Sequence, residues 1–312
     1  MRAFIFPGQG SQAVGMGKAL AEAFAPAREV FQEVDDALNQ RLSRLMWEGP
    51  ESELTLTENT QPAVMAASLA LFRVLEKSGG LDLGKHAKLV AGHSAGEYAA
   101  LCAAGAFTLS DTARLLRIRG RAMQDAAPVG AGAMTALLGI EMALVEEACK
   151  EASAVGIVVV ANDNASGQIV ISGATRAVER AAEIAKTKGA KRAIPLAVST
   201  PNHSPLLEPA TETMRDALAR ITIRPTAVPL ISNVTAAAVA DPDSIRRLLV
   251  QQLTARVRWR ESVAGFRHLG VVMTVEVGGN KVLTGMVKRI DRELEPVTLD
   301  TPADIEAFAK TP

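Results

Sequence analysis

Hydrophobic and polar positions change their period several times along this chain, and each change predicts an element. Arg2 to Phe6 is a short, mostly apolar run halted by Pro7-Gly8-Gln9-Gly10-Ser11-Gln12, the pattern of a strand entering an irregular loop. From Gly17 to Leu45 apolar residues recur at helical spacing among charges, and Thr60-Gln61-Pro62 opens an apolar helix, Ala63 to Glu76, with Pro62 suited to its first turn. Gly79-Gly80 ends that helix ahead of a second apolar run, Leu89 to Ala91, and an alanine-rich helical pattern follows it. Thr108-Leu109-Ser110-Asp111 reads as a cap for the helix Ala113 to Ala126.

Past Gly130 the pattern changes character. Ala133 to Ile140 predicts a strand and Glu141 to Ala152 an amphipathic helix. Strands Ile157 to Ala161 and Gln168 to Ser172 flank Asn162-Asp163-Asn164-Ala165-Ser166-Gly167, a stretch rich in turn residues. A helix from Arg176 to Lys188 and a strand from Ala193 to Val198 complete the order β-α-β-β-α-β, the ferredoxin-like arrangement. The chain is therefore expected to be an α/β protein. Residues 1–128 and 199–312 form its main domain, and residues 129–198 an inserted subdomain. The return stretch carries a helix through Arg220, a buried strand Val228 to Asn233 and a helix Arg246 to Leu253. A further helix begins at Val257-Arg258-Trp259, strands run over Val271 to Val277 and Val297 to Leu299, and Thr301-Pro302 starts a terminal helix.

Composition narrows the function classes. An apolar fraction of 48% and a charged fraction of 22% over 312 residues describe a globular protein with room for a sizeable core. Lys+Arg and Asp+Glu balance at 34 each, so the chain as a whole is no polyanion binder, and nucleic acid is not an expected partner. Met1 to Pro7 is too short for a signal peptide and no apolar run is long enough to span a bilayer, so a cytoplasmic protein without a membrane partner is expected. Cys102 and Cys149 make neither a disulfide framework nor a metal-ligand pattern; no metal or other cofactor is implied.

The candidate chemistry centres on Gly92-His93-Ser94-Ala95-Gly96, placed between a predicted strand and a predicted helix. That order is the nucleophile-elbow signature, with Ser94 at the tip and helix amides beneath it; the plainer alternative is a serine in an ordinary strand-to-helix loop. The Pro7–Gln12 loop follows a strand, where α/β proteins place their sites. It lacks the ending of a phosphate cradle, and a glutamine there would instead donate an N–H to an oxyanion. On the helix after Asp111, Arg114, Arg117 and Arg121 share one face and read as solvated, whereas Arg119 is offset and points inward. Lys186, Lys188, Lys191 and Arg192 form one basic cluster, and Arg256, Arg258 and Arg260 another.

Eight motifs then fall in a fixed order: F-P-G-Q-G-S-Q at the start, T-Q-P at 60–62, G-H-S-x-G-E-Y at 92–98, R-x-R-G-x-x-M-Q at 117–124, N-x-N-x-x-G-Q-x-V-I-S-G at 162–173, P-x-H-S-P at 201–205, Q-Q-L at 251–253 and E-V-G-x-x-K-V-L at 276–283. Together they resemble the malonyl-CoA:acyl-carrier-protein transacylases over nearly the whole chain. The resemblance implies a large α/β hydrolase-like domain with a parallel-sheet core, a smaller ferredoxin-like insert, and a site between them. It implies Ser94 as nucleophile and His203 as general base, the histidine being oriented by a backbone carbonyl near Gln252 rather than by a third carboxylate. It implies Gln9 and the Ala95 N–H as oxyanion donors, and Arg119 as the partner of the malonyl carboxylate. Malonyl-CoA and an acidic acyl carrier protein are the implied partners, and a monomeric enzyme is expected; one of the two basic clusters is a candidate dock for the carrier, the alternative being an ordinary solvated face. Coenzyme A and phosphopantetheine serve only as substrate handles. His86, His93 and His268 are expected to be structural.

Three positions depart from the family's usual spelling: Ala95 after the serine, Asn202 before the histidine, and Gly278-Gly279-Asn280 in place of a G-P-G turn. They bear on the breadth of acyl choice. Other readings are an acyltransferase of the same fold loading malonyl or methylmalonyl onto a polyketide-synthase or malonate-decarboxylase carrier, a serine thioesterase or esterase, and a carrier-binding scaffold.

Overall fold

Two sheets divide the chain between them. The computed structural model describes residues 1–128, 130–198 and 200–309. Strands β1 (Arg2–Phe6), β2 (Ala87–Gly92), β7 (Leu230–Ile231), β8 (Ala238–Val239), β9 (Met273–Val277) and β10 (Glu295–Leu299) form a sheet in the order β10-β9-β1-β2-β7-β8. Every neighbouring pair is parallel except β7 with β8. Helices cover both faces, so the central strands are apolar on both. Phe4, Phe6 and Val90 pack on one side beneath helices Ala25–Leu38, Thr57–Ser78 and Gly96–Ala103. Ala3, Ile5, Leu89 and Ala91 pack on the other against Trp259, Val263, Phe266 and Leu283.

Strands β3 (Gly132–Leu138), β4 (Val158–Ala165), β5 (Gln168–Ala174) and β6 (Arg192–Pro195) form the second sheet, antiparallel throughout, in the order β4-β5-β3-β6. Helices Met142–Ala152 and Thr175–Thr187 cover one face around Leu137, Val145, Ile171 and Ile184, which is the ferredoxin-like topology. The sheet is fixed to the rest of the chain along β4. Asp163 N–H donates to Val257 O at 2.9 Å, Val257 N–H donates to Ala161 O at 2.8 Å, and Arg260 pairs with the buried Asp163 carboxylate at 2.8 Å. Val129 and Ser199, where the sequence divides the insert from the main domain, lie outside the described residues.

Several elements depart from the pattern reading. The helix predicted from Ala63 begins at Thr57, placing Pro62 inside it; its first turns carry Thr57, Asn59, Thr60 and Gln61, polar residues that are nevertheless buried. The turn-like stretch 162–165 belongs to β4, with irregular register around Asn162 and Asn164. The region 17–45 is three helices, Lys18–Ala23, Ala25–Leu38 and Leu42–Glu48, with Asn39 in the left-handed region after the second. The strand expected over 228–233 is paired only at Leu230–Ile231, and β6 ends at Pro195 rather than at Val198.

Candidate active site

The chain turns between β2 and helix Gly96–Ala103 within three residues, and glycine is what permits it. A Cβ on Gly92 would lie 2.0 Å from the Gly96 carbonyl carbon, and one on Gly96 2.2 Å from the Phe6 oxygen. Ser94 sits at the tip with φ 53°, a left-handed conformation rare for a non-glycine residue and held here by the surroundings. Asn233 spans the turn: its Oδ1 accepts from Ser94 N–H at 2.7 Å and its Nδ2 donates to Gly92 O at 2.7 Å.

The Ser94 hydroxyl is 2.8 Å from His203 Nε2, and His203 Nδ1 is 2.8 Å from the Gln252 carbonyl oxygen. A carbonyl only accepts, so Nδ1 carries the ring proton and Nε2 is the bare acceptor facing the serine. Burial, reinforced by the Arg119 charge, pushes the His203 imidazole from its ordinary 6.5 down to about 3. The ring is therefore neutral near pH 7.

Arg119 lies beside this pair and is 1% exposed. Of the helix's other arginines, Arg114 and Arg121 are exposed as expected, but Arg117 is mostly buried, donating to Gln40 Oε1 at 2.5 Å and lying 3.9 Å from Glu58. The Arg119 guanidinium donates to Gln61 Oε1 at 2.7 Å, Gln252 Oε1 at 3.0 Å and Ser94 Oγ at 3.3 Å, while its Nε has no acceptor among the described residues. Gln252 enters twice, its carbonyl on His203 and its side chain on Arg119; its Nε2 also donates to Ser94 O at 3.0 Å and to Glu97 Oε2. Glu97, 2% exposed, accepts from the Asn233 backbone N–H at 2.7 Å through Oε1. Burial pushes its carboxyl up to about 8, against the pull of the Asn233 N–H, the Gln252 amide and the Arg119 charge.

Gln9 is placed less decisively. Its Nε2 donates to Thr57 Oγ1 at 3.4 Å, and its Oε1 is buried with no partner among the described residues. The Ala95 N–H, at the start of the elbow helix, has no backbone acceptor among the described residues. Gln9, Ser94 and His203 line a cleft of about 140 Å³ between the two sheets. Met134, Asn162, Asn164 and Val170 wall it from the second sheet, and Val282, Leu283 and Met286 from helix Val282–Ile290. His93 bonds Asn164 Oδ1 at 2.8 Å and packs edge-on to Trp259; His86 accepts from Asp82 N–H at 3.0 Å and is exposed at the end of the short helix Leu83–His86. Among the described residues, no group of His, Cys, Asp and Glu is arranged to hold a metal, and no helix is long and apolar enough to cross a membrane.

Sequence reasoning missed the roles of Gln61, Glu97, Asn233 and Glu276. Gln61, Glu97 and Glu276 lie inside motifs it had picked out, but their types gave no reason to expect burial. Glu276 accepts from Leu283 N–H at 2.9 Å and Thr284 N–H at 2.7 Å, capping the helix that walls the cleft. The basic clusters are partly neutralised by their own acids: Lys188 pairs with Glu147 and Glu151, Arg256 with Glu146, Arg258 with Glu261 and Arg260 with Asp163.

A family model described as an acyl transferase domain matches residues 3–301. The chain is 43% identical over 310 residues to a malonyl CoA-acyl carrier protein transacylase of Bacillus subtilis (strain 168), covering 99% of this chain and 96% of the relative. It is 44% identical over 305 residues to its counterpart in Escherichia coli (strain K12), covering 98% and 97%. Among solved structures, an acyl-carrier-protein S-malonyltransferase from Bartonella henselae superposes with a TM-score of 0.96 at 53% identity, covering 98% of each chain. A malonyl-transacylase solved in complex with its holo type II polyketide-synthase acyl-carrier protein superposes with a TM-score of 0.95 at 41% identity, covering 99% of each.

Proposed function

The chain belongs to the malonyl-CoA:acyl-carrier-protein transacylases, and from that membership we infer how its residues carry the reaction. The enzyme transfers a malonyl group from malonyl-CoA to the phosphopantetheine thiol of an acyl carrier protein. We propose Ser94 as the nucleophile and His203 as its base. The hydroxyl proton passes to His203 Nε2 as Oγ attacks the thioester carbonyl, and the imidazolium returns that proton to the departing coenzyme A sulfur. The carrier's thiol repeats the cycle in reverse: it gives its proton to Nε2, attacks the Ser94 ester, and Oγ is reprotonated as it leaves. The observation that carries the assignment is the chain Ser94 Oγ–His203 Nε2–Gln252 O, 2.8 Å at each link, in which a carbonyl takes the place of a triad carboxylate.

We assign the oxyanion to the Ala95 N–H and Gln9. The amide is free to donate, and the Gln9 side chain reaches the role by exchanging its long Thr57 contact for the oxyanion. Arg119 is assigned the malonyl carboxylate: a buried guanidinium with an unused donor, 3.3 Å from the nucleophile, suits a planar anion attached to the acyl group. The inserted subdomain is assigned one wall of the cleft, through Met134, Asn162, Asn164 and Val170. We place the enzyme in the cytoplasm, as a monomer supplying fatty-acid synthesis.

Intact-protein mass after mixing with malonyl-CoA tests the core of this reading. One malonyl adduct, absent in Ser94→Ala and discharged by holo carrier protein, is expected. Release of free malonate without adduct or transfer would replace the reading with hydrolysis.

A further inference from the structure

Among the described residues, three buried acids stand outside the chemistry assigned so far. Glu276 is accounted for by the two helix amides it caps, and Asp163 by Arg260. Glu97 is different, because its contacts lead into the site.

With Glu97 ionised, each contact around it has a fixed polarity. Oε1 faces the Asn233 backbone N–H, which can only donate. Oε2 faces the Gln252 side chain, whose nitrogen is shared with Ser94 O and whose oxygen faces the Arg119 guanidinium. An amide of this kind has two orientations, and its neighbours decide between them. With nitrogen toward Glu97, every contact pairs a donor with an acceptor. Reversed, the amide oxygen would meet the Glu97 carboxylate and the Ser94 carbonyl, and its N–H groups would meet the guanidinium. Above its raised value of about 8 Glu97 is a carboxylate, and among the described residues it is the charged acceptor on the nitrogen side of this amide, so it does most to hold that orientation.

We propose that Glu97 is a positioning residue for acyl-group selection: it locks the Gln252 amide with its oxygen on Arg119, and so keeps the guanidinium aimed at the acyl group beside Ser94. The proposal rests on the Arg119 assignment above. Glu97 touches neither substrate nor reacting atoms, and its influence passes through one side chain.

The test is the ratio of kcat/KM for malonyl-CoA to that for acetyl-CoA, each read as acylation of Ser94 at about pH 9, where the Glu97 carboxyl is ionised. Glu97→Gln is isosteric and reverses the polarity at one atom. With its Oε1 kept on the Asn233 N–H, its new amide nitrogen faces Gln252 and favours the flipped amide, which turns donors on Arg119. The malonyl rate is expected to fall about tenfold to a hundredfold, the scale of a lost charge-assisted hydrogen bond, with acetyl within about twofold. In a Gln252→Met background, which keeps the carbonyl for His203 but removes the amide, Glu97→Gln should change the ratio no further. An equal fall for both substrates would reduce Glu97 to architecture and overturn the proposal, as would an undiminished effect in the Gln252→Met background. If Glu97→Gln does not fold, Gln252→Met carries the test alone, and a wild-type ratio there overturns it. Arg119→Ala separates the two levels. A wild-type ratio in Arg119→Ala would remove the Arg119 assignment and this proposal together. A collapsed ratio there, with Glu97→Gln unchanged, would remove only this one.

Discussion

Replacing His203 by asparagine should flatten the acid limb of the protein's stability curve. The folded protein holds the His203 imidazole near 3, against about 6.5 in an unfolded chain, because burial disfavours the charged ring and protonation would also place a second cation beside Arg119. Between those values the unfolded chain binds a proton that the folded one refuses. The associated stability is fully present above about pH 6.5 and is lost as pH falls toward 3. The whole difference corresponds to about 5 kcal/mol, of which about 2 kcal/mol is spent between pH 7 and pH 5. Asparagine tolerates the left-handed backbone at this position, where φ is 59°, so the variant should remain folded. Urea unfolding of both proteins at pH 7, 6 and 5 measures the effect: the wild type should lose about 2 kcal/mol more than His203→Asn across that range. Glu97 does not disturb the comparison. Its carboxyl is raised, so its contribution runs the other way, lost as pH rises from about 4.5 through about 8, and it is common to both proteins. Parallel curves would refute the reasoning, since they would mean that the imidazole titrates in the folded protein much as it does in water.

Other parts of the structure give further expectations. Gly92→Ala forces a Cβ to within 2.0 Å of the Gly96 carbonyl carbon and should cost at least about 3 kcal/mol; a melting temperature lowered by less than about 2 °C would show that the elbow relaxes freely. Glu276→Ala strips two amides at the start of helix Val282–Ile290 of their acceptor and should cost about 1–2 kcal/mol, raising KM for malonyl-CoA while the Ser94 adduct still forms. Asp163→Asn removes the charge that Arg260 meets between β4 and helix Trp259–Gly265, so hydrogen exchange along β4 should quicken while that of β1 stays unchanged.

The fold was legible where period and turn chemistry agreed, and less so where polar residues are buried for the sake of the site. Strand β1, the elbow and the β-α-β-β-α-β order follow from apolar runs bounded by glycine, proline and caps. By contrast, Thr60-Gln61-Pro62 reads as the opening of a helix that runs from Ala63, and 162–167 as a turn-rich stretch, because polarity normally marks exposure. In the folded chain Gln61 holds Arg119, while Asn164 holds His93 and Asp163 holds Arg260, so these residues stay inside regular elements. The same blindness covered Glu97 and Asn233. A buried carboxylate or amide has no periodic signature, and only tertiary contacts show what it satisfies. Arg117 failed differently: helical spacing put it with two exposed arginines, but Gln40 and Glu58 from other helices cover it.

The proposed roles also have an electrostatic consequence for which acyl groups react. As His203 takes the serine proton it becomes a cation within a short distance of Arg119, the same charge that helps to hold it neutral beforehand. A malonyl carboxylate on Arg119 cancels that repulsion at the moment the imidazolium forms, because the anion arrives with the acyl group itself. An acetyl group brings no such charge. It would leave the guanidinium without a counter-ion and the imidazolium facing it, so the loss falls on the barrier to acylation as well as on binding. In saturating single-turnover experiments acetyl-CoA should therefore acylate Ser94 more slowly than malonyl-CoA, and Arg119→Ala should narrow that difference by removing the repulsion. Equal saturated rates in the wild type would confine Arg119 to binding. The arrangement then has one cation serve both ends of the reaction, recognising the substrate before chemistry and penalising, during it, any acyl group that comes without a carboxylate.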